Sequence, residues 1–380
     1  MTSNALILSG GGARAAYQVG VLQAVNELLP TSTHNPFEII CGTSAGAINA
    51  LALATHTGHF YEALEDLSRL WSELRTDRVF KTSWRELIYG GGRLAMSLFN
   101  EGVGKHKSIA LLDNDPLREF LSGFIDFSQV QKGIDAGDLK ALCVTAMNYT
   151  SGESVSFFEG ENSLEEWRRY RRTGVKAKLS LEHLMASSAI PGIFPATKVG
   201  SDYYGDGALR QVAPISPALH LGADRVFVIG VSGNRNPVHW AKRTMPAKHS
   251  PSVAQVMGHL FNSAFIDSLE GDIEHIERIN QLLTLIPEEE RERSSLPLRP
   301  VETLVISPSK ELDKIAGRKI RHMPRSVRFF MRSTGATTKG GGAATTSYLL
   351  FEKPYIDELI ELGYNDAMWE KDNIQAFFGV

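Results

Sequence analysis

The stretch Glu38-Ile39-Ile40-Cys41-Gly42-Thr43-Ser44-Ala45-Gly46 decides the fold. Its first four residues read as a short buried strand, and an apolar helical run follows Gly46 to about Ala54. Between them lies a G-x-S-x-G pentapeptide, Gly42 to Gly46, in the strand–turn–helix setting that makes this pattern informative. A sharp turn needs small residues on either side of its apex, which leaves the Ser44 hydroxyl exposed above a helix N-terminus that favours negative charge. Upstream, Ala5-Leu6-Ile7-Leu8 repeats the scheme: a buried-strand run, then Ser9-Gly10-Gly11-Gly12-Ala13-Arg14, then a helix. In that helix Ala16, Val19, Leu22, Val25, Leu28 and Leu29 recur at helical spacing until Pro30 stops it. Strand, glycine turn, helix, twice over, predicts an α/β fold. The expected form is a three-layer α/β/α sandwich with a mostly parallel central sheet. Both glycine turns should lie at the carboxyl ends of adjacent strands, where ligands bind in such sheets.

Further strands are predicted at Ala141–Met147, Val155–Phe158, Arg225–Val231 and Glu302–Ile306, with a hairpin over Ala196–Tyr204 turning at Gly200-Ser201-Asp202. From Phe60 to Glu119 the pattern is helical and irregular, with Gly90-Gly91-Gly92 as a break. Ser252–Leu283 reads as one long amphipathic helix or a broken pair, with core packing as its plainest role. Pro287–Pro300 reads as a surface loop, the Gly/Thr/Ala-rich Gly335–Ser347 as mobile, and Tyr355–Leu362 as a last helix. The expected organisation is a catalytic core over residues 1–235, a mainly helical extension with the late strand over 236–334, and a Gly/Thr-rich segment with the C-terminal helix over 335–380. The C-terminal third is expected to lay helices over one side of the sheet.

Composition narrows the function. The 380 residues are 43% hydrophobic and 22% charged, with a net charge of −3, so a large core is within reach and no positive field recruits nucleic acid. Two cysteines, Cys41 and Cys143, exclude a disulfide scaffold and an all-cysteine zinc site. The start, Met1–Ser9, has no basic segment before its short apolar run, and no stretch approaches the roughly 18 to 20 apolar residues of a membrane span. These features lead to the expectation of a cytoplasmic protein that meets lipid, if at all, from the aqueous side.

The glycine run Gly10-Gly11-Gly12 lets backbone N–H groups approach an anion, as a phosphate cradle or as an oxyanion hole. A dinucleotide fingerprint would need glycine at position 15, where Ala15 stands, and no Gly-Lys-Ser/Thr follows. Next to Ser44 in one α/β unit, the oxyanion hole is the better reading. A serine nucleophile also needs a base. Eleven histidines are available, but His183, His220 and His239 all sit in ordinary helix or loop contexts. Gly205-Asp206-Gly207-Ala208, after Tyr203-Tyr204, offers a carboxylate that packing does not ask for, although an Asp-Gly turn taken alone is the blander reading.

Together Gly10-Gly11-Gly12-Ala13-Arg14, Gly42-Thr43-Ser44-Ala45-Gly46 and Asp206-Gly207-Ala208 resemble the patatin-like phospholipases. The block Ala186–Pro195, with Pro191, also resembles that family's segment between nucleophile and aspartate, and the likeness covers roughly residues 5–232. Tyr348–Ala367 is similar to the tail of some bacterial members. The resemblance implies a Ser44–Asp206 dyad without a metal or other cofactor. Ser44 would attack the ester of a phospholipid or lysophospholipid, with Asp206 as base and the glycine N–H groups holding the oxyanion. Arg14 would steady the loop or meet a lipid phosphate. Gly42, Gly46, Gly207 and Pro191 would support the motifs. Ala15 departs from the glycine many members carry. Three other readings remain at this point: acyl transfer by the same dyad, a Ser–His–Asp hydrolase, and a non-catalytic lipid- or nucleotide-binding module. A peripheral membrane contact could use the basic and aromatic run Trp167-Arg168-Arg169-Tyr170-Arg171-Arg172 with Lys176 and Lys178, which is otherwise a solvated face.

Overall fold

The computed structural model describes residues 2–30, 33–56, 58–97, 108, 110–232, 250–293, 299–336 and 342–380. Ten strands form one sheet: β1 (Asn4–Leu8), β2 (Ile39–Thr43), β3 (Ala141–Asn148), β4 (Ser154–Gly160), β5 (Trp167–Arg169), β6 (Arg172–Lys176), β7 (Thr197–Val199), β8 (Asp202–Asp206), β9 (Arg225–Ile229) and β10 (Glu302–Ile306). The order is β10-β9-β1-β2-β3-β4-β6-β5, and the run from β10 to β3 is parallel. All the strands expected from sequence are present, including the hairpin β7–β8. Strand β10 belongs to the same sheet as β1, paired in register with β9 from Glu302↔Arg225 to Ile306↔Ile229.

The parallel strands are buried on both faces, so they read as continuous apolar runs. Leu6, Leu8, Ile40, Leu142, Val144, Phe227 and Ile229 join one core, and Ala5, Ile7, Ile39, Cys41, Cys143, Val226 and Val228 join the other. The first core is covered by helices Ala16–Leu28, Ala45–Ala54, Phe60–Glu73 and Lys353–Trp369, and the second by Ser216–His220 and Ser268–Leu283. This is the three-layer arrangement. The C-terminal third differs from expectation in covering both faces rather than one, because Leu269, Ile273 and Ile276 lie on one core and Tyr355, Ile356 and Leu359 on the other.

Three further expectations are corrected. Helix Trp84–Ser97 runs straight through Gly90-Gly91-Gly92. A β-carbon on Gly90 would lie 2.1 Å from the Leu111 carbonyl, so glycine serves close packing there instead of ending the helix. Pro287–Pro300 contains a short helix, Glu288–Arg293; residues 294–298 lie outside the described residues. In the Gly335–Ser347 segment, Ala343–Leu349 is a buried helix, and residues 337–341 lie outside the described set. Ser252–Leu283 is a continuous helical rod, Val253–Asn262 and Ser268–Leu283, joined by a π-helical turn at Ser263–Asp267. The last helix is longer than expected, Lys353–Trp369, and is followed by Lys371–Phe378. Among the described residues no helix is long and apolar enough to cross a membrane.

Helix Lys353–Trp369 packs on Ala16–Leu28 through two reciprocal glycines. A β-carbon on Gly20 would sit 1.8 Å from the Ile360 carbonyl, and one on Gly363 would sit 2.1 Å from the Tyr17 carbonyl. The backbones therefore cross at contact, which only hydrogen at both positions permits. Tyr17 hydroxyl donates to Asp366 beside the crossing at 3.1 Å. Gly363→Val is expected to destabilise the protein by about 3 kcal/mol or more, read as a lowered urea midpoint. An unchanged midpoint would show that the crossing is not rigid.

Candidate functional site

Strand β2 runs beside β3 from Ile39↔Ala141 to Thr43↔Thr145 and then turns away at Ser44. Strand β8 takes over the vacated lane, pairing antiparallel with β3 at Ala146↔Asp206, Met147↔Gly205 and Asn148↔Tyr204. The last residue of β8 thus lands against the turn that ends β2. The Asp206 N–H donates to the Ala189 carbonyl at 2.8 Å, tying this strand end to the block that carries Pro191.

Ser44 adopts φ 56° and ψ −128°, a left-handed conformation costly for a residue with a side chain. The strain is held by packing. A β-carbon on Gly46 would lie 2.1 Å from the Leu8 carbonyl, and one on Gly42 would lie 2.5 Å from the Gly46 carbonyl. The Ser44 N–H donates to Ser187 Oγ at 2.9 Å, and that hydroxyl donates on to the Thr145 carbonyl at 2.6 Å. The turn is therefore fixed to β3 through Ser187, a residue the sequence places in the Ala186–Pro195 block without giving it a role.

Ser44 Oγ donates to Asp206 Oδ2 at 2.5 Å, while the Ala208 N–H donates to Oδ1 at 3.0 Å. Asp206 is fully buried, and Ser44, whose hydroxyl the turn was expected to leave exposed, is only 2% exposed because the glycine loop and Phe265 close over it. Burial pushes the Asp206 carboxyl up to about 7, against the smaller opposing pull of the hydrogen bonds from Ser44 and Ala208. No salt bridge joins it among the described residues. A hydroxyl donating to a carboxyl poised near neutrality is equipped for proton transfer between the two.

Of the three histidines weighed from sequence, the two that the structure describes are engaged elsewhere. His183 Nδ1 pairs with Ser180 at the start of helix Leu181–Ser187, and its ring lies edge-on to Phe157. Burial pulls His183 down from the usual histidine range. His220 stacks on Trp167 at 4.9 Å, and burial, then the nearby Arg169 and Arg172, lower it to about 4. His239 lies outside the described residues.

The glycine loop follows β1 beside this turn. A β-carbon on Gly10 would lie 3.0 Å from Ser44 Cβ and 2.8 Å from the Phe265 ring, so the loop is sandwiched between Ser44 and the π-helical turn. Gly12, at φ 55°, lies against the Tyr348 carbonyl. Among the described residues no protein acceptor takes the N–H groups of Gly10, Gly11 or Gly12. Arg14 is buried under the loop, with Nε donating to Ser347 Oγ at 2.7 Å and its guanidinium 4.1 Å from the Tyr348 ring centre. Helix Ala343–Leu349 thus braces the loop from behind, a contact foreshadowed in sequence only by the tail resemblance. From Gly12 and Ser44 a narrow apolar cavity leads between Ile48, Trp71, Leu74, Phe194, Tyr348 and Phe351. A second, open groove includes Ala208 and Leu209, two and three residues after Asp206, and runs past Val212, Leu260, Arg171 and Arg172.

Comparison with known proteins bears on the same segment. The patatin-like phospholipase family model matches residues 6–219. The calcium-independent phospholipase A2-gamma of Mus musculus is 28% identical over 226 residues, 57% of this chain and 25% of that protein. The cGAMP-activated phospholipase of Pseudomonas aeruginosa is 29% identical over 228 residues, 58% of this chain and 56% of that protein. The match thus spans between a quarter and little more than half of these relatives. Human GIVD cytosolic phospholipase A2 superposes with a TM-score of 0.46 at 13% identity, over 100% of this chain and 60% of that one. The family model takes in every block from the glycine loop to Asp206 and more than half of the sequence, so the chain belongs to the patatin-like phospholipase family.

Proposed function

We propose that this chain hydrolyses acyl esters of phospholipids or lysophospholipids with Ser44 as nucleophile and Asp206 as its base. The observation that carries the reading is the 2.5 Å contact from Ser44 Oγ to a buried carboxyl held near neutrality. In the first half-reaction Ser44 Oγ bonds to the ester carbonyl carbon as its proton passes to Asp206. The carbonyl oxygen becomes an oxyanion facing the unclaimed N–H groups of Gly10, Gly11 and Gly12. Collapse breaks the bond to the alcohol, which leaves with the proton from Asp206. Water then attacks the acyl-enzyme, Asp206 takes its proton, and collapse returns that proton to Ser44 as the fatty acid departs. Gly42, Gly46 and Gly207 keep the turn and its partner in contact, Pro191 shapes the block behind them, and Arg14 braces the loop. The apolar cavity beyond Ser44 suits an acyl chain. Ser188 Oγ, buried in its wall without a hydrogen-bond partner among the described residues, is available to an ester oxygen.

Substitution separates the roles. Ser44→Ala and Asp206→Ala are each expected to lower turnover of a p-nitrophenyl ester by about 1,000-fold or more while remaining folded. Wild-type kcat/KM should fall about tenfold per pH unit below about 7, where Asp206 takes up its proton. Retained activity in Ser44→Ala would sink the mechanism.

The same carboxyl makes a stability statement. Folded Asp206 keeps its proton up to about pH 7, whereas the unfolded carboxyl loses it near 3.8. Stability therefore declines as pH rises between those values and stays at the lower level above them. Asp206→Asn, neutral throughout, should exceed wild type in stability at pH 8 by an amount on the order of 4 kcal/mol. Its advantage should shrink steadily as urea unfolding is repeated towards pH 5. An advantage independent of pH would mean that ionisation is not its source.

Contact with lipid is assigned to the open groove and the β5–β6 hairpin. Tyr170 at the hairpin tip is 86% exposed, beside Arg171 and Arg172, while Leu209, Val212 and Leu260 present apolar surface along the same groove. Arg168 is paired with Glu153 at 3.3 Å, an exposed bridge that an anionic headgroup can replace at little cost. Neutralising Arg168, Arg169, Arg171 and Arg172 together should reduce sedimentation with phosphatidylserine vesicles at low salt, by about 1 kcal/mol per charge that reaches the surface. Unchanged sedimentation would remove the hairpin from the docking face.

A further inference from the structure

A file of buried polar groups connects the wall of the apolar cavity to the start of the glycine loop. Trp71 Nε1 donates to Asn49 Oδ1 at 2.7 Å, Asn49 Nδ2 donates to Gln18 Oε1 at 2.8 Å, and Gln18 Nε2 donates to the Ser9 carbonyl at 2.9 Å. Trp71 is 1% exposed, and Gln18 and Asn49 are fully buried. The direction of the file follows from its far end. An indole nitrogen can only donate, so Asn49 must turn its oxygen to Trp71 and its nitrogen to Gln18. Gln18 must then present oxygen to Asn49 and nitrogen to Ser9. The remaining donor capacity goes to the Ala15 carbonyl from Asn49 at 3.1 Å and to the Ile229 carbonyl from Gln18 at 3.4 Å.

The last bond of the file fixes a peptide plane. No cis peptide occurs among the described residues, so the Ser9–Gly10 unit is trans, and its carbonyl and N–H point in opposite directions. With the Ser9 carbonyl held inward by Gln18, the Gly10 N–H is turned away from that file. Among the described residues it has no protein acceptor, and a β-carbon added to this glycine would lie 3.0 Å from Ser44 Cβ. Glycine itself offers little resistance to a peptide flip, so the orientation has to be imposed from outside the loop.

We propose that Gln18 is the positioning residue of the oxyanion loop, with Asn49 and Trp71 setting its amide so that the Ser9–Gly10 peptide faces the reacting carbonyl correctly. This rests on the acyl-hydrolase reading above, and it assigns work to residues that touch no reacting atom. It also couples the two halves of the site, since the indole that starts the file lines the cavity assigned to the acyl chain.

The test compares Gln18→Met, which keeps volume but removes both donors, with wild type on p-nitrophenyl butyrate and with a trifluoromethyl ketone inhibitor. That ketone forms a tetrahedral adduct with a serine, and its oxyanion requires the loop. Gln18→Met should lose about 10- to 100-fold in kcat with KM within about twofold, and inhibitor affinity should fall by the same factor as kcat/KM. Asn49→Leu and Trp71→Phe, which leave Gln18 in place but release its orientation, should show the same signature at smaller size. They carry the test if Gln18→Met does not fold. Ser326→Ala removes a remote buried hydrogen bond to the Thr82 carbonyl and should lower Tm with kcat unchanged. Undiminished inhibitor affinity in the folded variants would overturn the proposal, whatever happens to Tm. An inactive wild type that a fluorophosphonate fails to label would instead overturn the hydrolase reading beneath it.

Discussion

A carboxyl group buried without a cation partner among the described residues is the constraint around which this structure is arranged. Among the described residues, Asp206 has a hydroxyl and one backbone N–H to satisfy it, from Ser44 and Ala208. Each of these partners must arrive at short range, because a buried carboxylate left unmet would cost several kcal/mol. The left-handed backbone of Ser44 is the other side of the same arrangement. It turns the chain out of the sheet at the one residue where β8 must enter beside β3. Strain at Ser44 and desolvation at Asp206 are both unfavourable to folding, and the two large cores on either side of the sheet offset them.

Around this pair the chain is organised by backbone contact more than by side-chain recognition. Gly46 lies on the Leu8 carbonyl, Gly207 on the Thr145 carbonyl and Gly12 on the Tyr348 carbonyl. Close backbone approach brings three separate segments to one point, and polar side chains such as Ser187 and Gln18 then fix their orientation. The result is a site whose donors are largely main-chain and whose walls are apolar. That combination suits a substrate with one polar reacting group on a long hydrocarbon body.

Much of this was legible in the sequence because the signals were local. The run Glu38–Gly46 carries its own strand, turn and helix signals, and Gly200-Ser201-Asp202 carries those of a hairpin. The pairing of Ser44 with Asp206 was reached by resemblance; the register of β3 against both β2 and β8 supplies its physical basis. What was not legible depends on distant partners. Gly90-Gly91-Gly92 looks like a break until the Leu111 carbonyl is seen against Gly90. Ala343-Ala344-Thr345-Thr346 looks mobile because its residues are small, yet smallness is what lets that helix slide beneath Gly258 and the glycine loop, with Thr345 Oγ1 donating to the Ala254 carbonyl at 2.7 Å. The file from Trp71 to Ser9 is spread over three helices and the glycine loop, and no spacing rule announces it.

The bracing of the glycine loop by helix Ala343–Leu349 has a consequence for how the molecule is made. Arg14 and its partner Ser347 are 333 residues apart in sequence, so the loop leaves the ribosome long before its support does. A growing chain can form β1, β2 and the elbow at Ser44, but until Tyr348 and Phe351 have emerged it has neither the back of the loop nor one wall of the cavity. The back of the loop and that wall are therefore added only once helix Ala343–Leu349 and Phe351 have emerged, and a chain released before then carries Ser44 without them.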